Sequence, residues 1–266
     1  MKKYIYIFAS VILLTSCSNK KQNTNTSHHW EYTGEAGPEH WSELESCDDC
    51  AGQRQSPINI IDIETVDGNI ISGIDEVKNE DHTTIKSISN NGHTIQYNFI
   101  GDLNVIKYKN EDYKMKQFHF HSPSEHTING VRYPLEIHIV HHSEKSDSYI
   151  VYAILVQQGE QDPIFTFLEK HLPIVEGETK EINKSFDFSL TTQEFFGTDS
   201  VGIYSYEGSL TTPPCTQKVT WVVVRDASTA SAEQIKILQD LMPKNNYRET
   251  QAINSRKVYH ETISDM

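Results

Sequence analysis

The sequence predicts a single, mainly β domain with helices at its periphery (an α+β class), and three observations predict it. Between about residues 70 and 224 the chain is a succession of short apolar or alternating runs, the period-two signature of half-buried strands. Turn pairs such as Asn91-Gly92, Gly101-Asp102 and Asn129-Gly130 punctuate these runs. Links of hairpin length outnumber helical crossovers, so a mostly antiparallel sheet is expected. Only two stretches carry strong helix signals, and composition does not break between Trp30 and His260.

Residues 1–16 stand apart from the fold. Lys2 and Lys3 form a basic start, and an apolar run too short to span a bilayer follows, as in an export signal. Leu14-Thr15-Ser16-Cys17 resembles a bacterial lipobox, in which cleavage leaves Cys17 to carry lipid. Residues 17–29 are polar and read as a flexible tether, so the domain is expected to span 30–260, with a tail at 261–266. This describes an exported lipoprotein, periplasmic or at the cell surface, that touches membrane only through its N-terminal anchor.

Within the domain, strands are expected at 94–100, 103–108, 115–121, 135–141, 149–156 and 219–224. Asp162-Pro163 opens a helix to about Leu172, with Asp as N-cap and Pro at the first helical position. Ser231-Ala232-Glu233-Gln234 is a capping box, and Ile235, Leu238 and Leu241 follow at helical spacing.

The run FHFHSPSEH (118–126) places His119 and His121 on one face of a strand. Two imidazoles side by side in an apolar, aromatic run call for a shared polar task. His138 in LEIHIVHH is the third candidate, on a strand where Glu136, His138 and Val140 share a face. If the two strands are neighbours, three neutral ligands meet and leave a fourth metal position open, the arrangement of catalytic rather than structural Zn²⁺. Gln117 shares the face of His119, as Glu136 does that of His138. His28, His29, His40, His82, His141, His142, His171 and His260 read as surface or structural residues.

Six motifs occur in order: QSPINI (55–60), NNGHT (90–94), QFHFH (117–121), SEHT (124–127), LEIHIVH (135–141) and GSLTTPPC (208–215). Together they resemble the alpha-class carbonic anhydrases, over roughly residues 30–256. The resemblance implies a large twisted, mostly antiparallel central sheet and a Zn²⁺ held by His119, His121 and His138, with Gln117 and Glu136 as the acceptors that orient the rings. It implies reversible hydration of CO₂ to bicarbonate and a proton by zinc-bound hydroxide, with hydrolysis of activated esters as a side activity. It makes Thr211 the residue that takes the hydroxide's proton as a hydrogen bond and donates its own to Glu125. Thr212 lies beside it, and Val140, Val151, Leu210 and Trp221 form the apolar CO₂ pocket. His93 is the proton shuttle, with Tyr32, Asn91 and Gln96 lining its water path. Gln96 stands where the family frequently has asparagine. Residues 246–252 lack two prolines usual in the family, which predicts a local loop difference. A carbonic-anhydrase-like binding module without catalysis is the alternative. Such relatives typically lack a zinc histidine, and this chain has all three.

With Cys17 lipidated, Cys47, Cys50 and Cys215 are left in an oxidising compartment, an odd number. The residues alone predict one disulfide from Cys215 to the N-terminal region. The family's usual cysteine just before the QSPI motif implies Cys50–Cys215, which leaves Cys47 unexplained. The net charge of −14 argues against nucleic acid as a partner, since phosphate binding needs a basic surface. CO₂ and bicarbonate are the expected partners, and a homo-oligomer is left open.

Overall fold

A computed structural model of the chain describes residues 29–68, 70–71, 75–78, 83–100, 104–172, 174–186 and 200–264. The expected leader, Cys17 and nearly all of the tether lie outside these residues.

Thirteen strands among the described residues form one mixed sheet. Along its main path the order is Thr179–Phe186, Thr83–Asn90, Ile95–Phe99, Glu111–His121, Leu135–Ser143, Ser148–Gln158, Val219–Val224, Ser200–Gly208, Tyr259–Ser264 and Val66–Asp67. Short links make most pairs antiparallel, as the turn pattern predicts. Ser148–Gln158 is an exception: a long intervening stretch lets it run parallel to Val219–Val224. A small second sheet of Asn59–Ile60, Thr127–Ile128 and Val131–Arg132 brings the QSPINI motif beside SEHT.

The strand holding His119 begins earlier than the apolar pattern indicates, at Glu111. Lys109 and Asn110, with φ of 50° and 60°, turn the chain back from Asn104–Tyr108 in a two-residue hairpin of the kind that needs two left-handed residues. The next strand pairs antiparallel, and His138 lies directly opposite His119, Glu136 opposite His121 and Val140 opposite Gln117. Val140 is in turn opposite Val151, and Val151 beside Trp221.

Strand alternation then separates two cores. Phe118, Phe120, Ile137 and Ile139 point into one, where Tyr97 stacks on Phe118 at 4.8 Å between ring centres. Val140, Val151, Trp221 and Val223 belong to the other, on the histidine side. Each large apolar side chain buried here contributes about 1.5–3 kcal/mol, which holds the register of the polar residues between them.

Two α-helices occur among the described residues, Pro163–Glu169 and Ala232–Leu241. Asp162 caps the first through Oδ1, accepting from the N–H of Ile164 at 2.6 Å and of Phe165 at 3.3 Å. The α-helix stops at Glu169, and tighter three-residue turns carry the chain to Leu172. The capping box forms as expected: Ser231 Oγ accepts from Gln234 N–H at 3.2 Å, and Gln234 Oε1 from Ser231 N–H at 3.0 Å. Gln234 also donates to the Asp162 carbonyl at 2.9 Å, tying the starts of the two helices together. No helix among the described residues is long and apolar enough to cross a membrane.

At the C-terminus the expected boundary at His260 falls inside a strand. Backbone pairing of Tyr259–Ser264 with Ser200–Ser205 continues to Ser264, so residues 261–264 belong to the sheet and not to a tail. The Cys50–Cys215 disulfide is formed, and Cys47 is a buried free thiol. Ser56-Pro57 and Pro213-Pro214 are cis, and so is Ser122-Pro123.

Candidate metal centre

The register sets His119, His121 and His138 on one sheet face, and their ligand atoms lie within 4.8 Å of one another. Each ring is held through its other nitrogen. His119 Nδ1 bonds to Gln117 Oε1 at 2.9 Å, His138 Nε2 to Glu136 Oε1 at 2.6 Å, and His121 Nδ1 to the Asn246 carbonyl at 2.7 Å. Carboxylate and carbonyl oxygens only accept, so His138 carries its proton on Nε2 and His121 on Nδ1. The lone pairs left over, Nε2 of His119 and His121 and Nδ1 of His138, belong to the converging atoms. Burial, with the neighbouring imidazoles of His121 and His138, holds His119 well below the ordinary histidine value. Burial lowers His121 as well, against the opposing pull of Glu125. Both rings are therefore neutral donors near pH 7.

Glu136 is fully buried, and four hydrogen bonds meet on it. Oε1 receives His138 and, at 2.6 Å, Nδ1 of His126, and Oε2 receives the backbone N–H of Glu125 and of His126, each at 2.7 Å. Burial pushes this carboxyl up, but His126 and His138, by charge and hydrogen bond, outweigh it and hold the group well below the usual carboxylate range. The chain of contacts continues. His126 Nε2 bonds to Tyr206 Oη at 2.7 Å, Tyr206 donates to Ser56 Oγ at 2.9 Å, and Ser209 N–H reaches the same oxygen at 3.1 Å. A buried polar line thus joins a metal-facing ring to the loop that carries Thr211.

Thr211 is buried and Thr212 half-buried on that loop. The hydrogen bond expected from Thr211 to Glu125 is not the one observed. Glu125 Oε1 accepts from Arg248 N–H at 2.9 Å, and Oε2 has no hydrogen-bond partner. Oε2 lies instead on the imidazole side, 3.5 Å from His121 Nε2 and 3.9 Å from His138 Nδ1.

The residues fit a divalent metal. His121 Nε2 is a buried nitrogen without a partner, an arrangement that is costly unless an electron-pair acceptor faces it. Three neutral nitrogens match the ligand set of a catalytic zinc site, and Glu125 is not a member of the converging cluster, so a fourth position is left to solvent or substrate.

Beside the site, Val140, Val151 and Trp221 are buried in one apolar cluster, with Leu210 packed against it. Trp221 is anchored by its indole N–H to the Ser209 carbonyl at 3.0 Å. On the other flank Gln96 pairs in register with His119, and its amide donates to Asn98. Asn91 Oδ1 accepts from the N–H groups of His93 and Thr94, each at 2.9 Å, and so builds the turn that presents His93. Gly92 at φ 83° supplies the left-handed residue this turn requires. The His93 ring stacks on Trp30 at 3.8 Å, with Tyr32 edge-on at 6.3 Å. Partial burial lowers its pKa, against the pull of Glu31.

Sequence reasoning missed His126, Tyr206, Asn246, Arg248 and Trp30. His126 had a usable signal: a buried Glu136 needs donors, and His126 lies in a motif already singled out. Asn246 acts through its backbone carbonyl, which no side-chain pattern reveals.

Residues 36–262 match the family model for eukaryotic-type carbonic anhydrase. The chain is 34% identical over 264 residues to alpha carbonic anhydrase 7 of Arabidopsis thaliana, covering 96% of this chain and 93% of that protein. It is 33% identical over 252 residues to a carbonic anhydrase of Neisseria gonorrhoeae, covering 94% and 95% of the two chains. Its structure matches the alpha-carbonic anhydrase of Thermovibrio ammonificans, solved with the inhibitor sulfanilamide, with a TM-score of 0.77 and 32% identity over 87% of this chain and 99% of that one. Fold, histidine cluster and likeness agree, and the chain belongs to the alpha-carbonic anhydrase family of enzymes.

Proposed function

We propose that this protein is a zinc enzyme that reversibly hydrates CO₂ to bicarbonate and a proton. The observation that carries the reading is the set of three imidazole nitrogens, freed by hydrogen bonds at their opposite ring atoms, beside an apolar wall. Zn²⁺ bound by His119, His121 and His138 would supply Lewis acidity, making water a competent nucleophile near neutral pH.

The chain's own residues do the rest. Gln117, Glu136 and the Asn246 carbonyl keep each ring in the donating tautomer. Val140, Val151, Leu210 and Trp221 exclude water beside the metal and receive CO₂, which has no charge to grip. Thr211, on the loop that carries it beside the site, orients the nucleophile by accepting its proton as a hydrogen bond, while Glu125 is held by the Arg248 N–H. Thr212 lines the same loop. His93 takes the product proton and passes it to buffer, with Tyr32, Asn91 and Gln96 along the water path. Before Cys17, export and lipidation would place the enzyme at a membrane surface outside the cytoplasm.

Stopped-flow CO₂ hydration by the zinc-loaded protein tests the reading, with His121→Ala beside it. The wild type is expected to accelerate hydration, and the variant to lose both zinc and rate. Equal rates for the two proteins would overturn it.

A further inference from the structure

We infer that the Asn246 side chain is a positioning strut that sets the His93 turn against the metal-ligand strand. The inference rests on the shuttle role proposed for His93. Asn246 is fully buried, and its amide makes three hydrogen bonds to backbone groups of two elements, besides a 3.7 Å contact from Nδ2 to the Met242 sulfur. Nδ2 donates to the His93 carbonyl and to the Phe120 carbonyl, each at 3.0 Å, and Oδ1 accepts from Ser122 N–H at 2.7 Å. Its backbone carbonyl separately holds His121 Nδ1 at 2.7 Å. One residue therefore grips the shuttle turn, both neighbours of His121 in the chain, and His121 itself.

Phe120 is the node where the two elements meet. Its carbonyl accepts from Asn246 and also from Thr94 Oγ1 at 2.6 Å, and its N–H donates back to Thr94 Oγ1 at 3.2 Å. Thr94 belongs to the same turn as His93, whose own N–H is held by Asn91. Among the described residues, the turn is thus fixed to the ligand strand at Thr94 directly and at His93 through Asn246. Proton relay depends steeply on the span between donor and acceptor, so slack at the His93 carbonyl costs rate without changing the metal ligands.

The side chain can be removed while the backbone carbonyl to His121 stays. In weak buffer, Asn246→Ala is expected to lower kcat roughly fivefold while kcat/KM changes less than about twofold, and concentrated imidazole buffer should restore kcat. Zinc content should stay at the wild-type level. Independently of activity, hydrogen exchange in the metal-free protein should quicken in peptides covering residues 91–95 and stay unchanged at 135–143. Asn246→Ser serves the same test if the alanine variant does not fold. In a His93→Ala background the substitution should add no further loss of kcat, because its effect passes through that ring. Wild-type kcat in weak buffer, or parallel loss of zinc, kcat and kcat/KM without rescue, would overturn the strut. If His93→Ala itself shows no loss that buffer rescues, the shuttle reading falls and the strut's kinetic role with it. A His93 effect without an Asn246 effect overturns the strut alone.

Discussion

Nε2 of His138 meets Oε1 of Glu136 at 2.6 Å, and both groups are sealed from solvent. The two residues are neighbours on one strand face. The carboxylate fixes which nitrogen of the ring is free to bind metal, and it is itself held by His126 and by two backbone N–H groups. Glu136→Gln replaces one acceptor oxygen with a donor and breaks this set. Zinc affinity, measured by chelator competition, is expected to fall about 10–100-fold, as for other partners of metal-bound histidine. Unchanged affinity would show that the pair does not tune the ligand.

His141 gives a pH signature outside the metal centre. Burial, against partial compensation from the backbone of Ile150 and Ile139, holds its imidazole down at about 4. Its unfolded value is about 6.5, so between those limits the unfolded chain binds the proton and the folded chain does not. Stability is therefore full above about pH 6.5 and falls as pH drops toward 4, by on the order of 3 kcal/mol from this group alone. His141→Gln removes that term. Urea midpoints at pH 7.5 and 4.5 should differ less in the variant than in the wild type; an identical difference would contradict the assignment.

The Cys50–Cys215 bond closes a loop across a sequence separation of 165 residues. The cross-link removes freedom from the unfolded chain, and Cys50→Ser with Cys215→Ser is expected to cost about 2–4 kcal/mol. Thermal melting of the double variant, compared with the wild type under oxidising conditions, checks this; an unchanged midpoint would refute it.

Cys47 sits in the same buried cluster as that disulfide, and burial, with a smaller contribution from Asp48, raises its thiol. The native protein should resist iodoacetamide at pH 7.5 and take up one label once unfolded without reductant. This counts the mature domain without Cys17, or Cys17→Ser. Rapid native labelling would mean that the cluster opens.

Much of the site was legible because it follows a local rule. Period-two alternation puts His119 with His121, Gln117 with His119 and Glu136 with His138, whatever the rest of the chain does. The capping box at Ser231 and the Asp162 cap were legible for the same reason, since each involves atoms three residues apart or fewer. The start of the ligand strand at Glu111 was not, because it depends on Lys109 accepting left-handed backbone, which its side chain does not advertise, next to Asn110.

By itself the sequence determined which side chains share a strand face, the order of the motifs and the chemistry those residue types can perform. Tertiary structure alone decided that His138 lies opposite His119, that the Asn246 carbonyl orients His121 across 125 residues, and that Glu125 accepts from Arg248 rather than Thr211. The division has one cause. Alternation and capping are set by covalent geometry over a few residues, whereas register and backbone-to-side-chain contacts between distant segments exist only after apolar burial has fixed where each strand stops sliding.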